Sequence, residues 1–165
     1  MLFKPHFQFN NVCDITLDFL KDIGVDTLIL DVDNTICIKK GKVILPNVMQ
    51  WLDDMKKGGI KLIILSNARP KRMSQIAENF GLKFVPLGLK PLPFGYWRAA
   101  KVIGSKNRNC AIVGDQLLTD MLGGHLARHK TILVFPVELE TSFGFKIKRG
   151  IERKLLKLYN MKCNF

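Results

Sequence analysis

Thr27-Leu28-Ile29-Leu30-Asp31-Val32-Asp33-Asn34-Thr35 is the stretch on which the fold turns. Its first four residues make a short apolar run with β-branched members, the pattern of a strand buried on both faces of a parallel sheet. The run ends in Asp31 and Asp33, two carboxylates two residues apart where the chain leaves the sheet. Working outward, the same pattern recurs at Ile60-Lys61-Leu62-Ile63-Ile64-Leu65, Cys110-Ala111-Ile112-Val113 and Thr131-Ile132-Leu133-Val134. Helical stripes lie between these runs. Val48, Trp51, Leu52 and Met55 follow i, i+3, i+4, i+7 after Pro46 and stop at Gly58-Gly59; Met73, Ile76, Ala77 and Phe80 do the same between Pro70 and Gly81; Tyr96, Ala99, Ala100 and Ile103 do so before Gly104. Each stripe gives a helix one apolar face to lay on the sheet. Strand alternating with helix predicts a doubly wound α/β fold, a Rossmann-like three-layer sandwich around a parallel sheet.

Residues 36–45 break the rhythm and read as two short strands around a Lys-Gly turn, a small β-hairpin flap beside the end of the first core strand. There is no repeat, low-complexity tract or linker, so residues 1–165 are expected to form a single domain, and 47% hydrophobic content suffices for one core. Against 14 acidic residues stand 26 Lys and Arg, a net charge of +12 that favours polyanionic contacts: nucleic acid, anionic lipid or phosphorylated substrates. The N-terminus lacks the apolar core of a leader and no stretch is long and apolar enough to span a bilayer, which predicts a cytoplasmic protein. Cys13, Cys37, Cys110 and Cys163 form no CxxC pair, so reduced, mostly buried thiols are expected rather than disulfides or zinc.

Ligands of open α/β sheets collect beyond the carboxyl ends of the strands. There the chain offers Asp31-Val32-Asp33-Asn34-Thr35, then Ser66-Asn67, then Lys90, then Gly114-Asp115 with Asp120 five residues on. Carboxylates converging on one edge repel; a like-charged pair about 4 Å apart costs on the order of 4 kcal/mol at an effective dielectric of about 20. A bound cation relieves this, and oxygen ligands without a soft neighbour point to Mg²⁺. Ser66 and Lys90 supply the hydroxyl and positive charge that a phosphoryl group needs on its other side. Of the remaining candidates, Asn34 and Asn67 read as loop-shaping, His125 and His129 as solvated surface histidines, and Trp51 and Trp97 as packing residues.

In that order, Asp31-x-Asp33-x-Thr35, Ser66, Lys90 and Gly114-Asp115-x-x-x-x-Asp120 resemble the haloacid dehalogenase (HAD) superfamily of phosphatases. The resemblance implies an HAD-like fold in which Asp31 is the nucleophile that forms an aspartyl-phosphate and Asp33 is the acid/base. It makes Thr35, Ser66, Asn67 and Lys90 the substrate-binding set, with Thr35 supporting the loop and Lys90 neutralising both nucleophile and phosphoryl group. It assigns the metal to Asp31, Asp33 (through its backbone carbonyl), Asp115 and Asp120, the last directly or through water.

Only 32 residues separate Asp33 from Ser66, and 23 separate Ser66 from Lys90. The flap, one helix and one strand fill the first interval, and a helix with Lys83-Phe84-Val85 fills the second, so no cap domain is expected and the site is open. Phe3-Lys4-Pro5, the helix from Cys13 to Leu20, Gly114-Asp115-Gln116-Leu117-Leu118-Thr119-Asp120 with Gly123-Gly124, and the Ile151-Glu152-Arg153-Lys154-Leu155-Leu156 tail look like the YqeG family of subfamily IIIA phosphatases. Ala68 departs from the polar residue expected there. That family is similar to the mitochondrial phosphatidylglycerophosphate phosphatase, which implies an anionic lipid phosphomonoester as substrate. A basic C-terminal helix over about 146–159, with six basic residues and one acid from Lys146 to Lys157 and with Ile151, Leu155 and Leu158 on one face, suits peripheral contact with the inner face of a membrane. Other readings are a phosphatase for a protein, a nucleic-acid end or a soluble sugar or nucleotide phosphate, or a basic nucleic-acid- or ribosome-associated binding factor. The matched acid/base and phosphate clamp count against the last.

Overall fold

The computed structural model describes residues 2–39, 41–138 and 143–161, the last stretch with side chains from 147 onward. In chain order the elements are β1 (Phe7–Phe9), α1 (Leu17–Asp22), β2 (Thr27–Leu30), β3 (Cys37–Ile38), β4 (Val43–Ile44), α2 (Val48–Lys57), β5 (Lys61–Leu65), α3 (Pro70–Phe80), β6 (Lys83–Val85), α4 (Pro93–Ile103), β7 (Cys110–Gly114), α5 (Leu122–Leu126), β8 (Lys130–Val134) and α6 (Phe143–Leu158). Six strands pair in parallel in the order β1-β8-β7-β2-β5-β6. The chain winds outward from β2 through β5 to β6, then crosses back to β7 and β8, so the strand order reverses between β2 and β7. Crevices at such a reversal hold the ligand. β3 and β4 form the expected antiparallel hairpin, and the three-layer α/β architecture is as the alternating pattern predicts.

Successive residues of each strand face opposite layers. Leu28, Leu30, Ile64, Val113 and Ile132 pack with the apolar stripes of α2 and α3, including Leu52, Met73 and Phe80. Ile29, Ile63, Leu65 and Ile112 pack with Tyr96, Ala99 and Ala100 of α4. A smaller cluster joins Leu156 of α6 to Leu117, Met121 and Leu133. Thr16 starts α1 by accepting the Phe19 amide on its hydroxyl (3.2 Å), Pro70 opens α3, and Gly81 ends it at φ 59°.

Several expectations need correction. β1 is absent from the sequence reading because Phe7–Phe9 is three residues long; its pairing with β8, reinforced by the His6 amide donating to the Thr131 carbonyl at 3.1 Å, makes it a strand. α4 starts at Pro93, a turn earlier than its stripe. His129 is buried, its Nδ1 2.9 Å from the Asn107 carbonyl, and His125 lies against the His6 ring with Nε2 2.7 Å from the Lys4 carbonyl; neither is a freely solvated surface group. Trp51 is buried and donates to the Ile15 carbonyl at 2.8 Å, whereas Trp97 is 41% exposed. Cys37 and Cys110 are buried and Cys13 half-buried, all as free thiols; Cys163 and Lys40 lie outside the described residues. In α6 the face turned inward carries Arg149, Glu152 and Leu156, with Leu155 packed beside Leu156, while Ile151 and Leu158 of the expected apolar face are 46% and 73% exposed.

The first turn of α4 meets the β6–α4 loop backbone to backbone. A Cβ at Gly95 would stand 2.1 Å from the Gly88 carbonyl oxygen, so only glycine permits this approach. Gly95→Ala is therefore expected to lower unfolding free energy by about 1–3 kcal/mol through overpacking, measured by urea denaturation; an unchanged midpoint would show that the two segments move apart freely.

Candidate active site

β2 delivers Asp31 to the crevice. Its amide donates to the Val113 carbonyl at 2.9 Å, continuing the β2–β7 ladder by one residue and setting Asp31 beside Gly114. The chain then turns sharply: Asn34 takes φ 62°, donates its amide to the Cys37 carbonyl at 2.7 Å and accepts the Glu138 amide on its side chain at 3.0 Å. Thr35 is buried in this turn, and its hydroxyl has no protein hydrogen bond among the described residues.

β5 ends one strand away, where the Ser66 hydroxyl accepts the Ala68 amide at 3.1 Å. Asn67 reaches across to the next loop, accepting the Lys90 amide at 2.8 Å and donating to the Lys90 carbonyl at 3.2 Å. The side chain assigned to substrate binding thus positions Lys90 by gripping its backbone on both sides. The Lys90 ammonium contacts Asp31 directly and lies 2.8 Å from Asp120. Burial works against that charge, yet Asp120 and then Asp31 hold it well above the ordinary lysine range.

β7 supplies the remaining carboxylates. A Cβ on Gly114 would fall 2.4 Å from the Asp120 carboxylate, which explains glycine at the strand end. Asp120 sits in a wide helical turn over Leu117–Met121 that continues into α5, and it accepts the Gln116 amide at 3.3 Å. Oxygens of Asp31, Asp115 and Asp120 come within 4.8 Å of one another. Asp115 Oδ1 is buried with no hydrogen-bond partner among the described residues. An orphaned carboxylate oxygen among hard oxygen donors, with no thiol or imidazole in the group, fits a divalent cation. Burial first, opposed by Arg149 and reinforced by Asp31 and Asp120, pushes the Asp115 carboxyl up to about 8. Asp120 rises to about 6 through burial, with Lys90 opposing.

Asp33 stands apart from this cluster. Its two carboxylate oxygens receive Arg72 Nη2 of α3 at 2.7 and 2.6 Å, near the mouth of the crevice. Arg72 is one of three partners that local sequence did not identify. The others are Arg149, which contacts the Asp115 carboxylate and donates to its backbone carbonyl at 2.7 Å, and Glu152, 2.9 Å from Arg149. The only available signal was Glu152 itself, a lone acid in a basic helix.

A parallel α/β sheet with Asp31, Ser66, Lys90 and Asp115 at the ends or crossovers of successive strands defines a hydrolase site of one class. The chain belongs to the haloacid dehalogenase-like hydrolases, whose family model matches residues 14–128. Over 160 residues it is 34% identical to the probable phosphatase YqeG of Bacillus subtilis (strain 168), covering 97% of this chain and 93% of that protein, which makes it a phosphatase of the YqeG type. Among solved structures it is similar in fold to an uncharacterized protein from Listeria monocytogenes serotype 4b (TM-score 0.57, 14% identity, 83% of this chain and 100% of the other). It is also similar to the cobalt-bound deoxy-D-mannose-octulosonate 8-phosphate phosphatase of Haemophilus influenzae (TM-score 0.54, 14% identity, 83% and 90% covered).

The raised carboxyl of Asp115 gives a signed expectation for the metal-free protein. A group whose pKa is higher when folded contributes stability below its unfolded value, about 3.9, and loses it as pH rises through the folded value, here about 8. Relative to wild type, Asp115→Asn should therefore gain melting temperature as pH rises from about 5 to about 9, on top of a pH-independent loss from leaving the buried Arg149 guanidinium without its carboxylate. Added divalent cation should raise the melting temperature of wild type but not of the variant. A pH-independent difference would contradict the assignment.

Proposed function

We propose that the protein is a Mg²⁺-dependent phosphomonoesterase working through an aspartyl-phosphate on Asp31, as one capless domain over residues 1–165, on an anionic lipid headgroup of the phosphatidylglycerophosphate type. The observation that carries the reaction is Lys90, buried in contact with Asp31 and 2.8 Å from Asp120: a cation held against a nucleophilic carboxylate is what a dianionic substrate requires.

In the first half-reaction the Asp31 carboxylate, which needs no prior deprotonation, attacks phosphorus; the ester P–O bond breaks and the leaving oxygen takes a proton from Asp33. In the second, Asp33 removes a proton from water as that water attacks phosphorus, the acyl-phosphate bond breaks and inorganic phosphate leaves. Mg²⁺, held by Asp31, Asp115, Asp120 and the Asp33 carbonyl, would neutralise phosphoryl oxygens. Ser66, whose oxygen accepts the Ala68 amide, keeps its hydroxyl proton for the phosphoryl group, and Thr35 braces the turn. Arg72 must release Asp33 before the proton can move, and the side chains of this pair are 34% and 33% exposed, which leaves room to swing.

The lipid reading rests on two exposed surfaces, one on the loop that carries Lys90 and one on α6. Leu87, Leu89, Leu92, Phe94 and Trp97 are exposed on the loop that carries Lys90 and the start of α4. No Asp or Glu lies between Glu78 and Asp115, while six Lys and Arg do. On α6, Ile147, Ile151 and Leu158 are exposed beside Arg153, Lys154 and Lys157. Apolar side chains in a purely basic setting suit the surface of an anionic bilayer. No helix among the described residues is long and apolar enough to cross one, so the contact proposed is peripheral.

Wild type should release phosphate from p-nitrophenyl phosphate with Mg²⁺ and stop with chelator. Asp31→Asn should abolish turnover and Asp33→Asn lower kcat by about 10²–10⁴-fold; an unaffected Asp31→Asn would end this reading. With phosphatidylglycerophosphate in anionic vesicles, Phe94→Ser combined with Ile151→Ser should lose about tenfold or more while keeping p-nitrophenyl phosphate hydrolysis. Equal losses on both substrates, or a preference for soluble nucleotide and sugar phosphates in a side-by-side panel, would shift the substrate away from lipid.

A further inference from the structure

The inward face of α6 is not apolar, as a helix packed on a sheet normally is. It carries Arg149 and Glu152, which are 5% and 0% exposed, with Leu156 one turn on. Arg149 uses one arm of its guanidinium for the Asp115 carbonyl and Glu152, at 2.7 and 2.9 Å, and the other for the Asp115 carboxylate. Glu152 turns its second oxygen to the Leu118 amide at 3.3 Å. Lys148 contacts the Gln116 side chain, and the Gln116 amide in turn donates to Asp120. Leu156 closes the contact on Leu117 and Met121. One helix thus grips Asp115, Gln116 and Leu118, the backbone that carries two of the three clustered carboxylates.

We infer that Arg149, braced by Glu152, is a positioning residue for the cation site. By tying down Asp115 Oδ2 and the Asp115 carbonyl, it fixes the rotamer of a carboxylate that stands within 4.8 Å of Asp31 and Asp120 and whose other oxygen, Oδ1, is buried without a hydrogen-bond partner among the described residues. Partners of this kind around metal-binding carboxylates commonly govern affinity by 10- to 100-fold. Lysine cannot replace arginine here: a single ammonium cannot span the carbonyl, the carboxylate and Glu152 in the planar geometry of the guanidinium. The role rests on the reading of Asp115 as a metal ligand.

The test is calorimetric titration of the full-length protein with Mg²⁺ alone, alongside its melting temperature without metal and its kinetics on p-nitrophenyl phosphate. Arg149→Lys and Arg149→Met should both weaken Mg²⁺ binding about 10- to 100-fold. The concentration of Mg²⁺ needed for half-maximal rate should rise in parallel, with KM at saturating Mg²⁺ nearly unchanged. Glu152→Gln, which keeps its size and can still accept from Leu118, should show a loss in the same direction but smaller, and it provides the answer if the Arg149 variants do not fold. Variants that melt lower yet bind Mg²⁺ as wild type does would reduce Arg149 to a staple for α6 and overturn the inference, as would full rescue by lysine. Wild type that binds Mg²⁺ in an Arg149-dependent way but hydrolyses no phosphomonoester would overturn the proposed reaction and leave the positioning role standing.

Discussion

Everything at the carboxyl edge of the sheet depends on how Asp31, Asp115 and Asp120 are kept together. Three carboxylates within 4.8 Å of one another, buried, would drive the loops apart if left uncompensated. The chain answers with two cations from opposite directions. Lys90 arrives from the β6–α4 loop and lies against Asp31 and Asp120; Arg149 arrives from α6 and takes Asp115. What remains uncompensated is an oxygen of Asp115 and the mutual repulsion that a divalent ion would absorb. The site is therefore balanced for a metal rather than for an empty pocket.

That balance explains the local structure around it. The crossover to Lys90 passes through left-handed backbone at Leu87 and Leu89, with φ 49° and 53°, conformations that a leucine rarely adopts. It is held there by the Leu87 amide on the Ala68 carbonyl, the Gly88 amide on the Ser66 carbonyl and the two-sided grip of Asn67. The backbone contact of Gly95 with Gly88 adds a wall behind it. Strain is tolerated because so many independent contacts determine the same path, and the path is what carries the ammonium to Asp31.

The sheet and the four motifs were legible because they are local. A β-branched run with a carboxylate behind it states its own strand and its own end, and the parallel register then brings Asp31, Ser66 and Asp115 side by side without further information. Choices made between distant segments were not legible. β1 is a strand only because β8 accepts it, and His129 is buried only because Tyr96 and Asn107 surround it. The periodicity of α6 marked Ile151, Leu155 and Leu158 as one face; it could not show that another face would carry Arg149 for the buried carboxylate of Asp115. A charge that is buried must be paired, and that requirement is invisible to any pattern of apolar residues along one helix.

The pairing of β1 with β8 joins segments 125 residues apart, through His6 and Thr131. On a chain emerging from the ribosome, Phe7–Phe9 waits without a partner until most of the protein has been made, and Asp115 waits longer still for Arg149. Non-local contacts of this kind come late in folding because the loop they close is long. Asp31 and Lys90 can meet on a partial chain, but the Asp115 loop gains its pairing with Arg149 only once α6 has been made. A fragment stalled before residue 149 would carry Asp31, Ser66, Lys90, Asp115 and Asp120 with the buried Asp115 carboxylate still lacking its guanidinium.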